Sequence, residues 1–351
     1  MCREVGGEFS SVPLVRTPAP VFQNWAGEPR YYLSGRTALH AILLDVLTER
    51  KCETACLPAY CCDSMIEPFV RCGIKVVFYD IVADDGKILG RLDSLQMCDI
   101  LYVTDYFGFA TQGLDGAVSQ YRDRGSVIIY DKTHSLLSSP SVPYDYAFSS
   151  IRKWIGVAGC AVLFKAAGPY RLNPPSKTNE DYVALRREAM KRKEAFVEEG
   201  RGDKREFLEL LTQAEALLAR DYVGYSADPE SISQTLNADY TSVAAHRRRN
   251  AAYLYARLPH APFLFAKYQD HNFTPLFVPL LIPLRRRELH SRLISEDVYT
   301  PIHWPRSEYL SPQERYAESF YEQEISLICD QRYNEEDMER QCGVIEEFLE
   351  L

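Results

Sequence analysis

Two short stretches hold the residue types from which a chemical site can be built. Tyr130-Asp131-Lys132-Thr133-His134-Ser135 continues the apolar run Val127-Ile128-Ile129, and Phe148-Ser149-Ser150-Ile151-Arg152-Lys153 continues Asp145-Tyr146-Ala147. Runs of this kind read as buried parallel strands. An acid closing one strand and a lysine just past the next then lie in the crevice at the carboxyl ends of a sheet, where open α/β folds bind ligands. A lysine for a Schiff base and a carboxylate to face a pyridinium nitrogen are what pyridoxal phosphate requires of a protein.

The elements needed to position such a pair follow from the rest of the chain. Its 351 residues suffice for one large domain and a smaller one. The net charge of −9, with both signs spread along the sequence, argues against nucleic acid as the main partner. No apolar run approaches membrane length, and Met1-Cys2-Arg3-Glu4-Val5-Gly6-Gly7 has no signal-peptide core, so a cytoplasmic protein is expected. The 10 cysteines lack a zinc-like spacing and read as small buried apolar residues, with no metal expected.

Residues 1–30 are irregular, with Pro13, Pro18, Pro20 and Pro29, and read as an arm over the body or over a partner subunit. Ser34-Gly35-Arg36-Thr37 then opens an apolar-spaced helix. A glycine at a helix start lets an anion approach free backbone N–H groups, and the helix dipole favours it there. A plain N-cap by Ser34 accounts for the same residues equally well. Strand-like runs over 55–57, 74–79, 100–104, 127–130, 145–148 and 160–164 alternate with helices over 64–72 and 114–124. That order means a mostly parallel, doubly wound sheet. After Pro174-Pro175, Thr178 and Asp181 suggest a capping box before two amphipathic helices, and a third helix runs from about Tyr240 to Leu258. The tail reads as a small α+β domain, with strands near 275–282 and 325–328 and a last helix capped by Asn334 with Asp337. The organisation expected is an arm over 1–30, a large α/β domain over 31–236 and a small α+β domain over 237–351.

Several of these pieces, in this order, resemble the DegT/DnrJ/EryC1/StrS aminotransferases, members of fold type I of the pyridoxal phosphate enzymes. The resemblance rests on Ser34-Gly35-Arg36-Thr37-Ala38-Leu39, Leu57-Pro58-Ala59-Tyr60, the stretch from Tyr130 to Ser135, and Phe148-Ser149 with Lys153. Asn250 after the arginine run, Pro301-Ile302-His303-Trp304-Pro305, and Leu327-Ile328-Cys329-Asp330-Gln331-Arg332-Tyr333 extend it over most of the chain.

The resemblance implies roles. Lys153 would form the Schiff base with the cofactor, and Asp131 would keep the pyridine nitrogen protonated. His134 would contact the ring near its phenolic oxygen. Gly35, Arg36 and Thr37, with Ser149 or Ser150, would hold the phosphate, and the loop of Tyr60 would supply a ring-stacking aromatic. Tyr106 and Phe107 are candidates for the substrate pocket or for the core, and His303 for the active site or for a structural role. Arg36, Arg152 and Arg332 are candidate clamps for a carboxylate or phosphate. A homodimer with shared active sites is implied as well.

Departures qualify the substrate. The family's Gly-Tyr-Asn-x-Arg segment is absent; the nearest stretch is Gly224-Tyr225-Ser226-Ala227-Asp228-Pro229. The interval from Ser149 to Lys153 is short, and the glycine-rich turn is reduced to Gly156-Val157-Ala158-Gly159. The leading function is a ping-pong aminotransferase taking an amino group from an amino acid, glutamate above others, to a keto or aldehyde acceptor such as a nucleotide-linked keto sugar. The alternatives are another pyridoxal phosphate chemistry (decarboxylation, elimination, aldol cleavage) and a non-catalytic scaffold, against which Lys153 and Asp131 both argue.

Overall fold

The computed structural model describes residues 4–11, 22, 25–92, 97–265 and 273–350; Pro13, Pro18 and Pro20 of the expected arm lie outside them. In chain order the elements are β1 (Val5–Gly6), β2 (Arg30–Tyr32), α1 (Gly35–Glu49), β3 (Thr54–Pro58), α2 (Asp63–Arg71), β4 (Lys75–Asp84), β5 (Lys87–Arg91), β6 (Ile100–Thr104) and α3 (Asp115–Asp123). There follow β7 (Val127–Asp131), β8 (Tyr146–Ser150), a short 3-10 turn (Ile151–Lys153), β9 (Ala161–Lys165), α4 (Glu180–Glu199), α5 (Lys204–Arg220), α6 (Pro229–Asn237) and α7 (Tyr240–Arg257). The last are β10 (Val278–Leu281), α8 (Arg286–Ser295), β11 (Val298–Tyr299), α9 (Glu318–Gln323), β12 (Glu324–Leu327) and α10 (Glu335–Leu349).

Eight strands form one sheet in the order β2-β9-β8-β7-β6-β3-β4-β5. The five from β8 to β4 pair in parallel. Every residue of β6, β7 and β8 is buried, because separate apolar clusters cover the two faces of the sheet. This is why their sequences are continuous apolar runs and do not alternate. The strand order reverses between β3 and β6, and the crevice at such a switch point is where ligands bind. Register sets the chemistry at that edge: Thr104 pairs with Asp131, and Asp131 with Phe148.

The structure differs from the sequence reading in several elements. The strand over 160–164 is present as β9, but it runs antiparallel to β8 and β2. The strand at 74–79 continues to Asp84 and folds back as the hairpin β4–β5. Helices α6 and α9 were not anticipated; α6 starts with Pro229 in its first turn and the Asp228 side chain as its cap. The N-cap of α4 is Asn179, whose side chain accepts the Tyr182 N–H, in place of the expected Thr178–Asp181 pair. The Asn334–Asp337 capping box of α10 is present as read.

Beyond the large sheet, β10 and β12 pair antiparallel and β1 and β11 pair in parallel. Residues of α7, α8 and α10 pack with these strands around a third apolar cluster. Cys62 and Cys72 are half-buried, and the other described cysteines are buried and free. No described helix is long and apolar enough to cross a membrane.

Candidate active site

A cavity of about 150 Å³ opens at the carboxyl ends of β6, β7 and β8, beside the start of α1. Asp131, the last residue of β7, is buried on its wall. Its Oδ1 accepts the Thr133 N–H at 2.8 Å and its Oδ2 accepts the Tyr102 hydroxyl at 2.5 Å. Burial pushes the Asp131 pKa up, and the bonds from Thr133 and Tyr102 act against it.

Lys153 ends the 3-10 turn after β8 and leaves its side chain open to the same cavity. Desolvation by the surrounding protein, then the neighbouring Arg152 charge, hold its pKa below the ordinary lysine value. His134 also lines the cavity. Its Nδ1 accepts the Phe107 N–H at 3.4 Å, so in the neutral ring the proton sits on Nε2. Burial first, then the nearby His303 and Lys153, drive the His134 pKa well down and keep the ring neutral.

At the helix start the Ser34 side chain caps α1, accepting the Thr37 N–H at 3.2 Å and pairing with the Thr37 hydroxyl at 2.8 Å. The capping reading of Ser34 is therefore correct, and it coexists with an open helix start. Gly35 and Arg36 line the cavity there. A Cβ on Gly35 would lie in ordinary contact with the Ser150 Cβ at 3.4 Å and the Phe148 ring at 3.6 Å, which places the helix start directly against the end of β8. The Arg36 Nε is buried and makes no hydrogen bond among the described residues. Backbone N–H groups, a helix dipole and an unpaired guanidinium nitrogen form a corner suited to a phosphate.

No family model matches this chain, and no curated protein matches it in sequence. Solved structures do. Spr1654 from Streptococcus pneumoniae in its PLP form is 14% identical, with 98% of this chain and 99% of that chain covered and a TM-score of 0.67. DesI, solved in the presence of its TDP-sugar product, is 16% identical over 95% of this chain and 85% of that chain, at 0.62. A DegT DnrJ EryC1 StrS aminotransferase from Brucella abortus is 14% identical over 92% and 86%, at 0.59. The fold is fold type I of the pyridoxal phosphate enzymes.

Within this fold type I chain, several expected residues stand off the cavity wall. Ser149 is buried, with its hydroxyl donated to the Lys132 carbonyl at 3.1 Å, and Ser150 takes the wall position. Thr37 is turned to its cap partner. Tyr60, Tyr106 and Phe107 are fully buried in an aromatic cluster behind the cavity. The Tyr60 ring stacks on Phe320 at 4.7 Å, and its hydroxyl donates to the His303 carbonyl. The chain turns after Tyr60 so that Cys62, Ser64 and Met65 reach the wall in its place.

His303 is buried one layer back, its backbone N–H donating to Glu324 Oε2 at 2.7 Å and its ring Nδ1 3.1 Å from the Ser326 hydroxyl. Burial and Lys153 lower its pKa to about 3. Its neighbour Trp304 is the residue on the wall, 5.3 Å from the His134 ring. Of the three candidate clamps, Arg332 is paired with Asp330 at 2.7 Å and Arg152 with Glu215 at 2.5 Å, which leaves Arg36.

Tyr102, Cys62, Trp304 and Glu215 line the cavity without having been singled out from the sequence. A buried ion pair beneath the loop was also missed: Lys132 Nζ lies 3.4 Å from Asp105 Oδ2, which accepts from Ser135 at 2.7 Å and Tyr130 at 2.6 Å. The signal for Tyr102 was its place two residues before Thr104, on the face of β6 that serves the cavity.

Proposed function

We propose that the chain is a pyridoxal phosphate-dependent aminotransferase, moving an amino group from an amino acid donor, glutamate first, to a keto or aldehyde carbon. The observation that supports this most directly is the meeting of the Asp131 carboxylate, the Lys153 amine and the Gly35–Arg36 corner around one cavity. Asp131 would face the ring nitrogen, His134 Nε2–H the phenolic oxygen, and Gly35, Arg36 and Ser150 the phosphate. Bound there, the cofactor supplies an electron sink for negative charge at the substrate α-carbon. Lys153, whose pKa its surroundings lower toward the neutral amine, would first hold the cofactor and then carry the proton to and from the substrate carbon. Burial of Asp131 and His134 excludes water from the inner face.

A nucleotide-linked keto sugar is the acceptor class we favour, since DesI was solved with a TDP-sugar product. The proposal includes a homodimer with shared active sites. It places the protein, with its free buried cysteines, in a reducing compartment such as the cytoplasm. We retain the large domain over 31–236, which contains nearly all of the eight-stranded sheet, and the small one over 237–351, which contains most of the third cluster.

The test is a half-reaction followed by absorbance. Protein loaded with pyridoxal phosphate should convert it to pyridoxamine phosphate on addition of glutamate alone, and a panel of nucleotide-linked keto sugars should restore it. Release of carbon dioxide or ammonia with no pyridoxamine phosphate formed, from glutamate or any other amino acid, would transfer the protein to another reaction type.

A further inference from the structure

Both oxygens of Asp131 are held. Oδ1 takes the Thr133 N–H from its own loop, and Oδ2 takes the Tyr102 hydroxyl at 2.5 Å from the neighbouring strand β6. A carboxylate offers about four lone-pair sites, so these two bonds leave acceptor capacity on each oxygen. Tyr102 is itself a wall residue of the cavity and is wholly buried. We propose that Tyr102 is a positioning residue: its hydroxyl, reaching across from β6, holds the Asp131 carboxyl fixed at the cavity wall. The inference rests on the reading above, in which Asp131 faces a pyridine nitrogen.

The groups around Asp131 divide clearly. Burial and the Asp105 charge disfavour its ionised form, whereas the bonds from Thr133 and Tyr102 favour it. Lys132 lies next in the chain but is engaged with Asp105. The Cys62 thiol, on the cavity side, is pushed up mainly by burial and also by Asp131, and stays neutral. Tyr102 cannot exchange roles with the acid: burial, then the Asp131 charge, drive its own pKa well above 10.0, so the phenol remains the donor. An ionised Asp131 is the form that stabilises a protonated ring nitrogen, so the phenol acts on the cofactor through the acid.

Tyr102→Phe removes the hydroxyl alone. The ring keeps its edge contact with Phe69 at 5.9 Å and its tilted contact with Phe148 at 6.4 Å, and the Tyr79 bond goes to the Tyr102 backbone carbonyl. The experiment has two arms. In the ligand-free full-length protein, the Asp131 carboxyl is titrated by carbon NMR on aspartate-labelled protein, assigned with Asp131→Asn. In the second arm, pyridoxal phosphate affinity is measured by tryptophan fluorescence from pH 6 to 9. Tyr102→Phe should move the Asp131 titration to higher pH, and should weaken cofactor binding about tenfold, with the larger loss toward the acid end of that range. Unchanged Asp131 titration in Tyr102→Phe overturns the proposal. Failure of the wild-type protein to bind pyridoxal phosphate would instead overturn the functional reading, and the ligand-free arm would still decide whether the phenol governs Asp131.

Discussion

At the residue scale, the site consists of ionisable groups displaced from their usual behaviour in useful directions. Lys153, open to the cavity, has its pKa lowered by desolvation within the surrounding protein and by the Arg152 charge. Only the neutral amine attacks a carbonyl, so cofactor attachment should rise with pH through a midpoint below the ordinary lysine value of about 10.4. Removing the Arg152 charge with Arg152→Gln favours the protonated amine and should move that midpoint up, as read by a pH series of borohydride-trapped cofactor. Asp131→Asn keeps the shape of the acid but cannot carry the charge; turnover should fall roughly 10²-fold or more at unchanged fold, measured as kcat with glutamate. Arg36→Ala should raise the pyridoxal phosphate Kd about tenfold by removing a charge-assisted bond, while pyridoxal without phosphate binds as before.

At the element scale, the loop after β7 matters most, because it carries Asp131 and His134 and stands on the Lys132–Asp105 pair. Taking away Lys132 leaves a buried carboxylate without its cation, and Lys132→Met should cost about 3–5 kcal/mol in urea unfolding. The corner behind Trp304 is held by Glu324, whose carboxyl burial raises to about 8 from 4.5. A folded-state pKa above the unfolded one means that the unfolded chain ionises first. Stability is therefore lost as pH rises from 4.5 to 8 and is constant beyond. Glu324→Gln should accordingly gain thermal stability relative to wild type on going from pH 5 to pH 8. The parallel strands that carry Asp131 and Lys153 were legible because burial on both faces leaves an uninterrupted apolar run. The direction of β9 was not, since such a run reads alike either way. Tyr60 was misplaced for a related reason: strand alternation ends at Pro58, and the turn that brings Cys62 to the wall has no period to read.

At the scale of the whole molecule, the two ends of the chain converge on the middle. β1 pairs with β11, Glu4 bridges Lys193 and Lys204 at 3.1 and 2.7 Å, and Glu8 meets Arg186 at 2.9 Å. Glu8 also lies 4.0 Å from Arg152, the residue before Lys153. Deleting residues 1–11 should lower the melting temperature by about 5 °C or more, since it strips a strand and takes the Glu4 carboxylate from the buried Lys193. The sequence reading placed these residues in an arm over the body or over a partner subunit, and their partners within the chain became visible only once the tail and α4 were brought together in space. The most direct test of the account is borohydride reduction of the protein loaded with pyridoxal phosphate, followed by peptide mapping. A single label on Lys153, absent from Lys153→Ala, is the expected result. No label, or a label on another lysine with Lys153 unmodified, would contradict it.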